Sequence, residues 1–238
     1  MHKAILIVFF FFHAIPFVLA QGKMVRNPIV AYQTHSELSI DSLGLYADST
    51  VVWFKITNSL PKGGWFCADS STVLEIPDQN SRLKIMNARS IPWCPNAYEF
   101  RGEDDELHFE LVFPYLSDDP KAINIIEECD RACFVLEGII LDDKLNEDHR
   151  KFDEGVRLFV NNKLAEAYEL FSDIIKDIPD EPTHIYGYSY LNLIRICWQR
   201  DSNLKAEQWI RRLKKSALPR KQYYLNTIEK EREQKRFF

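Results

Sequence analysis

The chain lacks the short signatures by which common catalytic sites announce themselves. It contains no Gly-x-Ser-x-Gly elbow, no His-Glu-x-x-His pair, no phosphate loop and no Gly-x-Gly-x-x-Gly turn. Beyond residue 20 there is no long apolar run, so nothing later in the chain reads as a membrane span. Histidine is scarce after that point: His35, His108, His149 and His184 are isolated from one another, and none completes a zinc set with a cysteine pair. No metal and no cofactor is expected. The acidic run Glu103-Asp-Asp-Glu106 lacks the alternating oxygens and the glycine of a calcium loop and reads as a solvated turn.

What is present begins with residues 1–20. Lys3 gives a positive start, Ile5 to Phe12 an apolar core, and Val18-Leu19-Ala20 a small-residue end before Gln21. The segment reads as an export signal; an uncleaved membrane anchor is the alternative, for which it is short and interrupted by His13 and Pro16. No cysteine stands near Gln21 to carry a lipid. The expected location is therefore periplasmic or extracellular, with no stable membrane span once the signal is removed. The charge is uneven. From Gln21 to Asn203 there are 18 Lys and Arg against 31 Asp and Glu, and from Leu204 to Phe238 11 against 4. A basic end on an acidic body can contact polyanions or membrane surfaces, but it reads first as a solvated helix face. Export and the acidic body argue against a nucleic-acid partner.

After a polar lead-in over residues 21–28, residues 29–142 consist of short runs rich in Val, Ile, Phe, Tyr and Trp, punctuated by Asp, Asn, Gly, Pro and Ser. The runs predict strands at 29–33, 43–47, 50–58, 65–76, 82–86, 107–113, 123–126 and 133–141. So many short strands in this length predict an antiparallel β-sandwich of immunoglobulin-like type. In Leu107–Phe113 the alternation turns Leu107, Phe109, Leu111 and Phe113 inward and His108 outward. The ordered phrases Trp53-Phe54, Pro92-Trp93, Phe113-Pro114 and Leu141-Asp142 resemble an uncharacterised β-domain of exported Bacteroidetes proteins. That resemblance implies a bacterial envelope location and no site residues.

Five cysteines in an exported chain read first as disulfides. Cys67, Cys94, Cys129 and Cys133 lie in the β-rich part and allow three pairings, among which the sequence does not decide. The favoured set is Cys67–Cys94, joining a strand to the next Pro-rich loop, with Cys129–Cys133 closing a small loop. Cys197 falls on an inward helical face and reads as a small buried apolar residue.

Residues 143–238 change period. Phe152, Val156, Phe159 and Val160, and again Leu164, Ala167, Leu170, Phe171, Ile174 and Ile175, recur at three- and four-residue intervals on either side of Asn161-Asn162. Two amphipathic helices around a turn are predicted. Gly155, Leu158, Ala167, Phe171, Ile174 and the closing Pro179 resemble the tetratricopeptide repeat, whose period is about 34 residues. A second copy runs through Ile194, Cys197, Ala206, Ile210 and Leu213 to Pro219, displaced by 39 residues. It has no small residue at its first position. A last helix from Tyr223 to Arg236, with Tyr224, Leu225 and Ile228 inward, is expected to cap the stack. The resemblance implies a concave surface for a protein or peptide partner, formed by Phe152, Val156, Phe159, Leu191, Arg195 and Trp198. Phe152 and Val156 have a plainer reading as packing residues.

The fold class expected is thus α+β in two domains, and the function expected is non-enzymatic binding of a protein or peptide in the envelope. The alternative is a polysaccharide-binding or hydrolase component that uses Trp65 and Trp93 as a sugar platform; a hydrolase would also need two converging carboxylates. The sequence leaves the oligomeric state open.

Overall fold

The computed structural model describes residues 22–116, 120–129 and 133–235. The signal segment lies outside the described residues. The chain is α+β, with antiparallel sheets first and helices after them. One five-stranded sheet has the order β1 (Lys23–Arg26), β3 (Leu38–Leu45), β4 (Ser49–Thr57), β10 (Glu106–Pro114) and β8 (Asn87–Arg89). The other has the order β2 (Val30–Gln33), β12 (Val135–Ile140), β11 (Ala122–Ile126), β6 (Val73–Ile76) and β7 (Ser81–Lys84). A short pair, β5 (Trp65–Phe66) with β9 (Tyr98–Glu99), stands apart from both.

Alternation explains why both sheets share a core. Leu38, Val52, Phe54, Phe109, Leu111 and Phe113 from the first sheet and Leu74, Ile123, Ile125, Leu136 and Ile139 from the second fall in one apolar cluster. Each such side chain, fully buried, contributes about 1.5–3 kcal/mol of transfer free energy. Phe54 stacks on Phe109 with ring centroids 5.0 Å apart, and Phe134 closes on Phe54 at 6.3 Å. His108 faces solvent, as its parity requires.

Several strand boundaries differ from expectation. The lead-in contains β1, which pairs with β3 and buries Val25 completely; four residues with one inward apolar side chain are too few to display a period. β3 begins five residues before its predicted start at residue 43. The predicted strand over residues 65–76 is two strands, because Asp69 diverts the chain between them: its Oδ1 accepts from the Ser71 N–H at 2.8 Å and its carbonyl from the Thr72 hydroxyl at 2.6 Å. Such local bonds compete with a ladder. β8 and β9, of three and two residues, carry no pattern of their own.

The helical part comprises α1 (Asp143–Val160), α2 (Leu164–Ile174), α3 (His184–Gln199), α4 (Asn203–Lys215) and α5 (Lys221–Lys235). Asp142 caps α1 by accepting from the Leu145 N–H at 2.7 Å. The hairpin turn falls at Asn161-Asn162, the latter in the left-handed region at φ 59°. Gly155 and Ala167 are both buried where α1 meets α2. α3 is apolar on nearly every face and is correspondingly enclosed, as a helix of that composition must be. α5 lies against it through Tyr224 and Ile228, both buried. Among the described residues no helix is long and apolar enough to cross a membrane.

One side chain joins sheet to helix. The Ile29 N–H donates to Asn146 Oδ1 at 2.8 Å, and Asn146 Nδ2 donates to the Ile140 carbonyl at 2.9 Å. Ile140 N–H in turn donates to the Ile29 carbonyl at 2.9 Å. The carboxamide therefore satisfies the Ile29 N–H and the Ile140 carbonyl at the end of the β2–β12 ladder, and Asn146 is 1% exposed. Deeper in the helices, the buried Tyr186 hydroxyl donates to Asp148 at 2.7 Å, and Lys144 donates to the same carboxylate at 2.7 Å.

Candidate binding cleft

A cleft of about 670 Å³ opens beside the β5–β9 pair. Its floor is apolar, from Ile56 of β4, Phe66 of β5 and Phe100 just after β9. Its rim carries Trp65, 58% exposed, and Leu60, 51% exposed. Both stand on the segment after β4, and Asn58 holds that segment in shape. Asn58 Nδ2 donates to the carbonyls of Leu60 at 2.8 Å and Gly102 at 2.6 Å. Gly64 follows at φ +100°, where an added Cβ would stand 3.1 Å from Asn58 Cγ, so the turn requires glycine.

The walls are cross-linked. Cys67 is bonded to Cys94, and Cys129 to Cys133, which is the favoured pairing of the four; Cys67, Cys94 and Cys129 all line the cleft. The Cys94–Pro95 peptide is cis. The Cys67–Cys94 bond reinforces a backbone bridge in which the Ala68 N–H donates to the Pro92 carbonyl and the Cys94 N–H to the Ala68 carbonyl, both at 3.0 Å, while Cys129–Cys133 closes one small loop.

Its polar lining holds three acids beside His35, Thr57, Asn58 and Ser59. Glu127 is only 6% exposed; one of its oxygens accepts from the Asp69 N–H at 2.9 Å and the other from the Phe134 N–H at 3.3 Å. Burial pushes its carboxyl above the ordinary range, against the two backbone bonds, and the nearby Asp69 adds to the rise. Glu37, at the mouth, is held below the ordinary range by hydrogen bonds, chiefly from backbone. Glu37, Asp69 and Glu127 line the cleft together, and no lysine or arginine does so among the described residues.

The helical residues expected to form a partner surface lie elsewhere. Phe152 packs edge-to-face on Phe171 with centroids 5.7 Å apart, while Val156, Phe159 and Trp198 are half-buried against the helical core. Leu191 is 1% exposed. Arg195 is engaged by the Glu231 carboxylate of α5 and by Asn192 Oδ1 at 3.2 Å. None of the six lines the cleft that the α2–α3 connection forms with α3 and α4, or the one between α3 and α5. In the latter, the Tyr188 and Tyr223 hydroxyls face each other at 3.4 Å and Tyr224 donates to the His184 carbonyl, so its hydroxyls are occupied internally. Of the two tryptophans expected as a platform, Trp65 is on the cleft rim and Trp93 packs against the β core. Cys197 is a free, buried thiol whose acidity burial lowers.

Glu127 escaped the sequence reading, although a signal was present. Ile123 and Ile125 point inward from β11, and the alternation carries the next inward position to residue 127. A glutamate at that parity is an acid aimed at the interior.

No protein-family model matches the chain, and no curated protein sequence matches it.

Proposed function

We propose that this is an exported, non-enzymatic protein of the bacterial envelope that binds a segment of a protein or peptide, with the ligand held in the disulfide-walled cleft. In this reading the β-rich part is an immunoglobulin-like sandwich, and the helices are a short tetratricopeptide-like stack closed by α5 that braces it. The observation that carries the proposal is the exposed Trp65 and Leu60 pair above an apolar, cross-linked floor. Large side chains left in solvent beside a preformed concavity are the usual mark of a recognition site. Two disulfides support residence in an oxidising compartment. The helical surface is less suited to a ligand, since Leu191 is enclosed and Arg195 is already paired.

A polysaccharide-binding or hydrolase role has one observation in its favour, which is that Asp69 and Glu127 line the same cleft. Against it, each Glu127 oxygen and one Asp69 oxygen accept a backbone N–H bond that fixes them to the surrounding loops. The test is site-directed photo-cross-linking in envelope preparations, with p-benzoyl-phenylalanine replacing Leu60 in one variant and Phe159 in another. A protein or peptide adduct from position 60 that is lost in the Trp65→Ala background supports the reading. Adducts from position 159 alone would return the site to the helices, and a glycan adduct from position 60 would favour the alternative.

A further inference from the structure

We infer that the cleft receives a basic side chain, a lysine ammonium or an arginine guanidinium, presented by the partner; this rests on the reading of the cleft as the ligand site. The argument starts from charge. Among the described residues three carboxylates line the cleft with no lysine or arginine, and His35 is the only other ionisable side chain there besides the disulfide-bonded cysteines. Glutamate is seldom buried unless paired with a cation, because taking its charge out of water is costly. Yet among the described residues Glu127 meets only two backbone N–H donors. Each carboxylate oxygen accepts two hydrogen bonds, so both keep an open acceptor direction. A cation in the cleft would supply the missing charge.

The shape agrees with the charge. A lysine or arginine carries its cation on an aliphatic stem that packs along apolar surface. Ile56, Phe66 and Phe100 line the same cleft and offer such surface. Trp65 presents an exposed ring, over which a guanidinium or ammonium is favoured by the ring quadrupole. A neutral sugar would use the aromatic rim but has no charge to set against Glu127, and an acidic peptide would be repelled.

The experiment follows the Trp65 indole N–H resonance by NMR on the full mature chain with its disulfides intact, assigned with Trp65→Phe. The probes are acetyl-Gly-Gly-Lys-Gly-Gly-amide, its arginine, norleucine and glutamate counterparts, and a chitin tetrasaccharide. The lysine and arginine peptides are expected to shift the resonance saturably, with norleucine, the same stem without charge, weaker by about tenfold or more. Glu127→Gln is expected to erase the preference of lysine over norleucine. Should that variant lose its native spectrum, Glu37→Gln at the mouth keeps the test open and is expected to narrow the preference without abolishing it. Equal response to lysine and norleucine, or a response to the sugar and not to lysine, overturns this inference while leaving the cleft as a site. No response of Trp65 to any probe overturns both.

Discussion

Replacing Gly187 by alanine sets two effects of known size against each other. On intrinsic propensity the change favours the helix by about 1 kcal/mol, because glycine is the freest residue in the unfolded chain. Packing opposes it. A Cβ built at position 187 would stand 2.7 Å from Tyr224 Cε1 and closer still to Cζ, far inside the 3.5–4.0 Å at which carbon atoms attract. Tyr224 cannot yield freely. It is 4% exposed, its ring meets Tyr188 at 5.5 Å and Tyr223 at 5.4 Å, and its hydroxyl donates to the His184 carbonyl. Overpacking of this kind costs about 1–3 kcal/mol, and expelling a buried aromatic altogether about 3–5 kcal/mol. The net expectation is therefore a loss of about 0–2 kcal/mol if Tyr224 shifts in place and about 2–4 kcal/mol if it is expelled, with α5 loosened from α3 in either case. In a Tyr224→Ala background the clash is gone, and Gly187→Ala should then stabilise by up to about 1 kcal/mol. Urea denaturation of the four chains, followed by circular dichroism with the disulfides intact, closes the double-mutant cycle. A rise in stability for Gly187→Ala in the native background would refute the reasoning, since it would mean that α5 does not rest on this position.

Removing Cys67 and Cys94 together, as alanines, frees a loop of 27 residues and is expected to cost about 3.5 kcal/mol by loop entropy, against about 2 kcal/mol for the four-residue Cys129–Cys133 closure; denaturation midpoints give the ranking. Tyr186→Phe withdraws the hydroxyl from Asp148 and leaves that buried carboxylate to Lys144 alone, so a loss of about 1–3 kcal/mol is expected by the same measurement. Stability should also depend on pH in two opposite ways. Glu127, raised in the fold above its ordinary 4.5, contributes fully below that value and loses its contribution as the pH rises through the folded-state pKa; Glu127→Gln should flatten this limb. Asp173, drawn down to about 2 from 3.8 chiefly by its bonds from Lys151 and Lys176, contributes above 3.8 and loses it as the pH falls towards 2, so Asp173→Asn should flatten the acid limb.

The parts of the structure that were legible are those in which a period repeats. Leu107, Phe109, Leu111 and Phe113 declare one face of β10, and Asn161-Asn162 interrupts two helical stripes at the observed turn. Elements of two to four residues, such as β1, β8 and β9, offer no repeat and are placed by their partners in the sheets. The candidate site was legible only in pieces. Trp65 stood out as an aromatic, and the cysteines as a cross-linked set by compartment, but Leu60, Asp69 and Glu127 come together through loops whose course depends on Asn58 and on the Cys67–Cys94 tie. The enclosure of Leu191 had a readable sign. α3 carries apolar residues on nearly every face, and a helix of that kind is enclosed along most of its surface, the face of Leu191 included.

The Asn146 carboxamide bears on how the molecule carries force. Because it stands as a rung between β2 and β12, the first turn of α1 is anchored within the ladder and not merely laid upon it. Tension applied through the helices reaches the sheet as shear on that rung and on the Ile140–Ile29 bond beside it, so these must break before the helices can peel away. Because only Leu141 and Asp142 separate β12 from α1, a load drawn through the C-terminal end is carried by the backbone to β12, and the Asn146 rung shares part of it with the edge strand β2.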